Sequence, residues 1–462
     1  MKEPLRPERN YRSGFLMALL MLIFPLAVHA QTGSGGSLTL KEAIQYALSA
    51  NQEARKARLD VENAGYQINE VRSRALPQIN GSANLSYNPI LQLSAVPGEL
   101  AGQPGTTLLI PFGQKWNANA AVSLSQTLFD QSVFTGLKAA KTTRDFYRLN
   151  EQLTEEQIIE QVATQYYRIL VQRQQVAVLD STIENTARVQ NILKGQYENG
   201  LARKIDVDRI EVSLSNLRNT RQQLSNGVTL LENQLKFLMG MPIQQPVQIP
   251  DAALASIEPK LIPSDASVNL NSRTELQLLQ SQEQLLNYQK QAFKAEFMPS
   301  LSLGSTYSYQ GLGQRFPIFR SREEGANWFD VASVSLTLRV PIFNGFATQA
   351  RVRQANVNLR KLQEDISAAK LGLNLEFENA KTQINNSIIT LNSQEKNVDL
   401  AREVYSNTQN NYNNGLASLT DLLSAENELT EAQNNYSSAL LDYKVAEIQL
   451  IKAQGSLKNL VN

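Results

Sequence analysis

Any chemistry in this chain would have to be carried by carboxylates. The 462 residues contain no cysteine and a single histidine, His29. That histidine falls in a leader, where Lys2, Arg6, Arg9 and Arg12 precede an apolar run from Phe15 to Val28 and Val28-His29-Ala30 reads as a cleavage site. The pattern predicts a signal peptide over residues 1–30, with the mature chain starting near Gln31. Without histidine the commonest general base, the triad base and the usual zinc ligand are missing. Without cysteine there is no disulfide, thiolate metal site or lipid-bearing thiol. No catalytic, cofactor or metal site is expected. Charge adds no partner either, since 44 Lys and Arg face 43 Asp and Glu, and no nucleic acid is implied.

What recurs instead is a pair of turns. Tyr197-Glu198-Asn199-Gly200-Leu201 and Tyr412-Asn413-Asn414-Gly415-Leu416 share the pattern Tyr-x-Asn-Gly-Leu, and Asp206 and Asp421 follow them at the same spacing. Glycine at such a position takes the left-handed conformation that closes a helix, so Gly200 and Gly415 read as helix stops. The two aspartates then lie near the starts of return helices, where a carboxylate caps free amides.

The elements that carry these turns must be long. Phe377, Ile384, Leu391, Val398, Tyr405 and Tyr412 fall seven apart without a miss, and Val162, Ile169, Val176, Ile183, Gln190 and Tyr197 repeat the spacing with one polar departure. A strict seven-residue apolar repeat marks a helix held in a supercoiled seam. Tyr197 and Tyr412 are the last members of those seams. The return helices carry three-four spacing from Val207 to Leu238 and from Leu422 to Ala453, and Arg221 alone departs in the first, as a snorkelling or tunnel-side residue. The chain is thus a tandem duplication. A first repeat spans 38–240, with one helix from Thr39 to Arg74, a strand pair over 78–129 and a helical hairpin over 130–240. A linker covers 241–267, and a second repeat over 268–458 has its strand pair at 300–342 and its hairpin at 343–458.

In the strand pairs the period switches to two. Ile79, Gly81, Ala83, Leu85 and Tyr87 alternate with Asn and Ser; Trp116, Ala118, Ala120, Val122 and Leu124 do the same, and Leu301–Gln310 and Ser333–Val340 follow suit. Between the first two strands lies only a Gly- and Pro-rich loop. Strand lengths near the roughly 9–11 residues of one bilayer crossing, small polar opposite faces and aromatic residues at both strand ends suit an outer-membrane barrel. Arg339 lies on the polar face, as a solvated lumen charge or one that tunes conductance. A sheet in lipid leaves no open edge, so four strands per chain demand oligomerisation. A dimer gives eight strands, whose interior side chains fill; a trimer gives twelve and a passage, and the long helices favour the trimer as a continuing wall. The competing class is a non-channel periplasmic coiled-coil scaffold with a small β-domain.

The order of elements, with Leu124 to Asp130 (LSQTLFD), Val340 to Gly345 (VPIFNG), Tyr412 to Leu429 and Tyr197 to Val207, resembles the TolC-like outer-membrane efflux proteins. The resemblance implies a fold that is mainly α with membrane β, in which duplicated hairpins form an α-barrel tunnel and four strands per chain enter a trimeric twelve-stranded barrel. It also implies a homotrimer in the outer membrane of a Gram-negative bacterium, a passive exit duct without catalytic activity or cofactor. Its partners would be a periplasmic adaptor, an inner-membrane pump and outer-membrane lipid, with small molecules or, alternatively, proteins in type I secretion as cargo. Gly200, Leu201, Gly415 and Leu416 match the adaptor-contact tip, while Asp206, Asp421, Tyr197 and Tyr412 match the periplasmic constriction. Ser424 stands where such families place a second gate acid, and Ala417 where they place a linking arginine.

Overall fold

The computed structural model describes residues 38–102, 104–250, 267–318 and 325–461. The expected signal peptide at 1–30 and most of the 241–267 linker lie outside the described residues.

Thr39 opens helix α1 (Leu40–Ala50) with a reciprocal capping box to Glu42. Sequence periodicity gives one helix from Thr39 to Arg74. The structure breaks it at Asn51 (φ −60°, ψ 136°) and starts α2 (Gln52–Ser73) there. The cause is tertiary. Asn51 Oδ1 accepts from the amides of Glu53 and Ala54, while Nδ2 donates to Leu238 O, 2.7 Å away in α4 (Lys204–Met239). Beyond α4, Gly240 at φ 69° approaches so closely that a Cβ on it would stand 2.6 Å from Ala50 O.

After α2 come β1 (Gln78–Tyr87), β2 (Leu93–Pro97), β3 (Thr107–Pro111) and β4 (Trp116–Phe129). The β2–β3 hairpin occupies the segment expected to be only a loop. Asp130 then caps α3 (Gln131–Glu198), whose 68 residues span about 100 Å at 1.5 Å per residue. The second half supplies α5 (Thr274–Ala295), β5 (Ser300–Gly313), β6 (Ala326–Arg339), α6 (Ala347–Asn413) and α7 (Leu419–Ala453).

The four long strands form one antiparallel sheet in the order β1-β4-β5-β6. Register puts Ile79 opposite Leu124, Val122 opposite Tyr307 and Leu303 opposite Leu336, so the alternating apolar residues of the four strands share one face, with Leu312, Phe329 and Val331 on the other near the loop end. Arg339 pairs in register with Ser300 on the other face, among Ser and Thr. Each strand is continued by a helix, and beside the sheet those helices pack in the same order, α2-α3-α5-α6. Towards the turns the order becomes α4-α3-α7-α6. The result is a wall one helix thick with a sheet at one end. Its accessible surface is 30729 Å², against roughly 17,000 Å² for a compact chain of this mass. No helix among the described residues is long and apolar enough to cross a membrane.

The seam of α6 forms as expected: Phe377, Ile384, Leu391, Val398 and Tyr405 are buried and Tyr412 is half-buried. In α3 the expected seam holds only at Val162 and Ile169. Val176, Ile183 and Gln190 are half-buried, Tyr197 is exposed, and the buried stripe runs instead through Leu179, Thr182, Thr186, Val189 and Leu193. The difference arises because α3 must face both α4 and α7, and a single seven-residue stripe follows only one partner. Arg221 pairs with Asp180 of α3 at 2.7 Å, inside the first hairpin.

Candidate functional site at the hairpin tips

Both turns close in the same way. Gly200 and Gly415 each have φ 75°. Leu201 N donates to Gln196 O and Gly200 N to Tyr197 O, and Leu416 N donates to Asn411 O and Gly415 N to Tyr412 O, all within 3.0 Å. This double bonding satisfies the last carbonyls of α3 and α6. It leaves Leu201 and Leu416 projecting, 80% and 78% exposed.

The two aspartates are equivalent in sequence and differ in setting. Asp421 accepts from the amide and hydroxyl of Ser418, and its own amide bonds back to Ser418 Oγ, completing a capping box. Those bonds from Ser418 hold its carboxyl below the usual range. Asp206 has no such cap, because Arg203 stands where Ser418 does; the guanidinium instead grips its carboxylate at 2.9 and 3.2 Å.

The tips are joined. Val189, Leu193, Val207 and Ile210 of the first hairpin bury against Tyr405, Leu419, Leu422 and Ala425 of the second, with Tyr412 partly buried beside them. Burial first, and then the charge of Asp206, raise the Tyr412 phenol above its ordinary value. Tyr412 and Asp206, from different hairpins, are therefore brought together, whereas Tyr197 lies 44% exposed. Arg339 sits at the sheet, the length of α6 away, about 100 Å for its 67 residues.

Sequence reasoning missed three cross-hairpin contacts. Arg209 Nη1 donates to Thr420 Oγ1 at 2.6 Å, Thr186 Oγ1 donates to Glu426 Oε2 at 3.0 Å, and the Thr182 and Thr430 hydroxyls lie 3.0 Å apart. Thr182 and Thr186 could have signalled this interface, being polar residues four apart between Leu179 and Val189 at seam spacing. Among the described residues no three His, Cys, Asp or Glu side chains gather as metal ligands would.

Comparison with known proteins agrees with this architecture. The family model "Outer membrane efflux protein" matches residues 43–241 and 266–456. Outer membrane protein TolC of Escherichia coli (strain K12) is 22% identical over 460 residues, covering 95% of this chain and 86% of that one. Alkaline protease secretion protein AprF of Pseudomonas aeruginosa is 24% identical over 341 residues, covering 72% and 68%. The open state of the Neisseria gonorrhoeae MtrE outer membrane channel superposes with a TM-score of 0.70 at 19% identity, over 92% of this chain and 90% of that one. With both of its halves matched, the chain belongs to the outer membrane efflux protein family, whose members are passive channels and not enzymes.

Proposed function

We propose that this chain is one of three identical subunits of an outer-membrane exit channel of an efflux system. The observation that carries the assembly is the matched order of strands and helices, with the outer edges of β1 and β6 unpaired among the described residues. An open edge is not tolerated in lipid, so β1 of each copy pairs with β6 of the next and closes a twelve-stranded barrel. The apolar face meets lipid, and the polar face with Arg339 lines the passage. Each chain is read as two repeats, 38–240 and 268–458, whose hairpins continue the barrel as a periplasmic tunnel. Family membership sets aside the scaffold alternative.

At the far end, Leu201 and Leu416 on Gly200 and Gly415 offer exposed apolar knobs to a periplasmic adaptor. Asp206, Asp421, Tyr197 and Tyr412 form the constriction. An inner-membrane pump supplies the driving force. Cross-linking of detergent-extracted protein combined with single-channel recording tests this reading. Trimers with a small, finite conductance that Asp421→Ala raises support it; a monomer that never conducts overturns it. Deleting Asn414 to Leu416 should abolish export while leaving trimers in the membrane, and normal export would remove the adaptor role. A second cargo class, secreted protein, is favoured by the similarity to the secretion protein AprF.

A further inference from the structure

Behind the apolar cluster of the tips, the contact between the hairpins differs in kind from the seam within the second one. Inside that hairpin α6 and α7 meet through Phe377, Ile384, Leu391 and Tyr443. Behind the tip, α3 and α7 meet through the Thr182–Thr430 and Thr186–Glu426 contacts. Thr186 is fully buried and Glu426 is 7% exposed. Only Oε2 of Glu426 is hydrogen-bonded; Oε1 is buried without a partner among the described residues.

The titratable groups around it are few. Tyr405 of α6 faces it, its phenol raised first by burial and then by the Glu426 charge. Beyond Tyr405 stands Arg188 of α3, which favours the ionised phenol and is itself paired with Glu184. Burial pushes the Glu426 carboxyl up to about 7, and the bond from Thr186 works against that rise. An ion in this place keeps one hydrogen bond where water would give several, while the neutral acid avoids most of that cost.

We propose that Glu426 is a protonation latch between the hairpins: protonated, it holds α7 against α3 and keeps the tips together; ionised, it favours their separation. The latch rests on the reading of the tip as a gate. Its sign follows from burial. Separation returns the carboxyl to water and towards its ordinary value of 4.5. The stabilisation of the closed contact is therefore complete below that value and is lost as pH rises through about 7.

Because the chain has no cysteine of its own, cysteines placed at Ser181 and Glu431, exposed neighbours of the Thr182–Thr430 pair, accept spin labels selectively. Distances are read in the full-length detergent-extracted protein, with labelled copies diluted by unlabelled ones, alongside single-channel conductance. The expected result is one short distance at acidic pH that gives way to longer ones above neutrality, with conductance rising several-fold in step. Glu426→Gln should stay short and poorly conducting throughout. Thr186→Val, which removes the one bond that holds the anion in the closed contact, should enlarge the long-distance population above neutrality. A distance that ignores pH, a Glu426→Gln protein that follows the parent, or a Thr186→Val protein with no larger long-distance population above neutrality overturns the latch. A pH-dependent distance abolished by Glu426→Gln in a protein that conducts at no pH sinks the channel reading and leaves the latch standing.

Discussion

Arg209 of α4 and Thr420 of α7 share a hydrogen bond of 2.6 Å that ties the return helix of one hairpin to the return helix of the other. Both side chains are exposed, so the bond competes with water and its net worth is small. It nevertheless lies across the contact that must part if the tips open.

Arg209→Ala should therefore raise the open population of the channel roughly two- to five-fold without altering assembly. Single-channel recording of the variant beside the parent checks this. An unchanged conductance would mean that the apolar cluster around Ile210 and Leu422 alone holds the tips.

The glycines separate two kinds of constraint. Gly415→Ala meets no atom within 4 Å and strains only a backbone at φ 75°, costing about 1 kcal/mol. Gly240→Ala is strained at φ 69° and also drives a Cβ to 2.6 Å from Ala50 O, for a total of about 3 kcal/mol. Thermal unfolding followed by circular dichroism should give Tm losses in that order; equal losses would count against the close packing of Gly240 on the α1–α2 break.

Asp421 and Ser418 make a pH prediction. The carboxyl is held low by the bonds from Ser418. Its contribution to the helix start is present above the unfolded carboxylate value and is lost as pH falls through the lowered folded value. Ser418→Ala should return the carboxyl towards its ordinary value, as read by NMR titration of labelled aspartate. No change would show that the capping box does not govern its protonation.

Arg273 sits just before α5 with 2% of its side chain exposed, and it reaches Glu275 at 2.9 Å, Glu376 of α6 at 3.0 Å and the Ala453 carbonyl of α7 at 3.0 Å. Arg273→Met fills much of the space but leaves Glu275 without its ion-pair partner and Glu376 with Lys452 alone, at 3.7 Å. The loss should be about 3 kcal/mol, at the low end for a broken buried pair because Glu376 keeps some contact with solvent. Denaturant titration of the detergent-extracted protein measures it; a neutral outcome would assign the cluster to packing alone.

Much of the architecture was legible in the residues. The Gly415 turn, the α6 seam and the period-two alternation of Ile79 to Tyr87 are local, because each is written in the spacing along a single element. The turn chemistry at Gly200 and Gly415 was local as well, since a left-handed residue closing a helix needs only its own flanking carbonyls. The differing settings of Asp206 and Asp421 could be traced afterwards to one position, Arg203 against Ser418.

The remainder belonged to tertiary structure. The break at Asn51 depends on Gly240 and Leu238, nearly two hundred residues away in the chain, and no pattern between Thr39 and Arg74 contains them. The stripe of α3 shifts because α7 lies beside it. Glu426 reads in sequence as one acid among many near a helix start; only the docking of α7 on Thr186 buries it. Sequence by itself determined the long helices and the four long strands, because periodicity is a property of each helix or strand. Which faces of different elements meet was decided by the fold, because that depends on where the other elements lie in space.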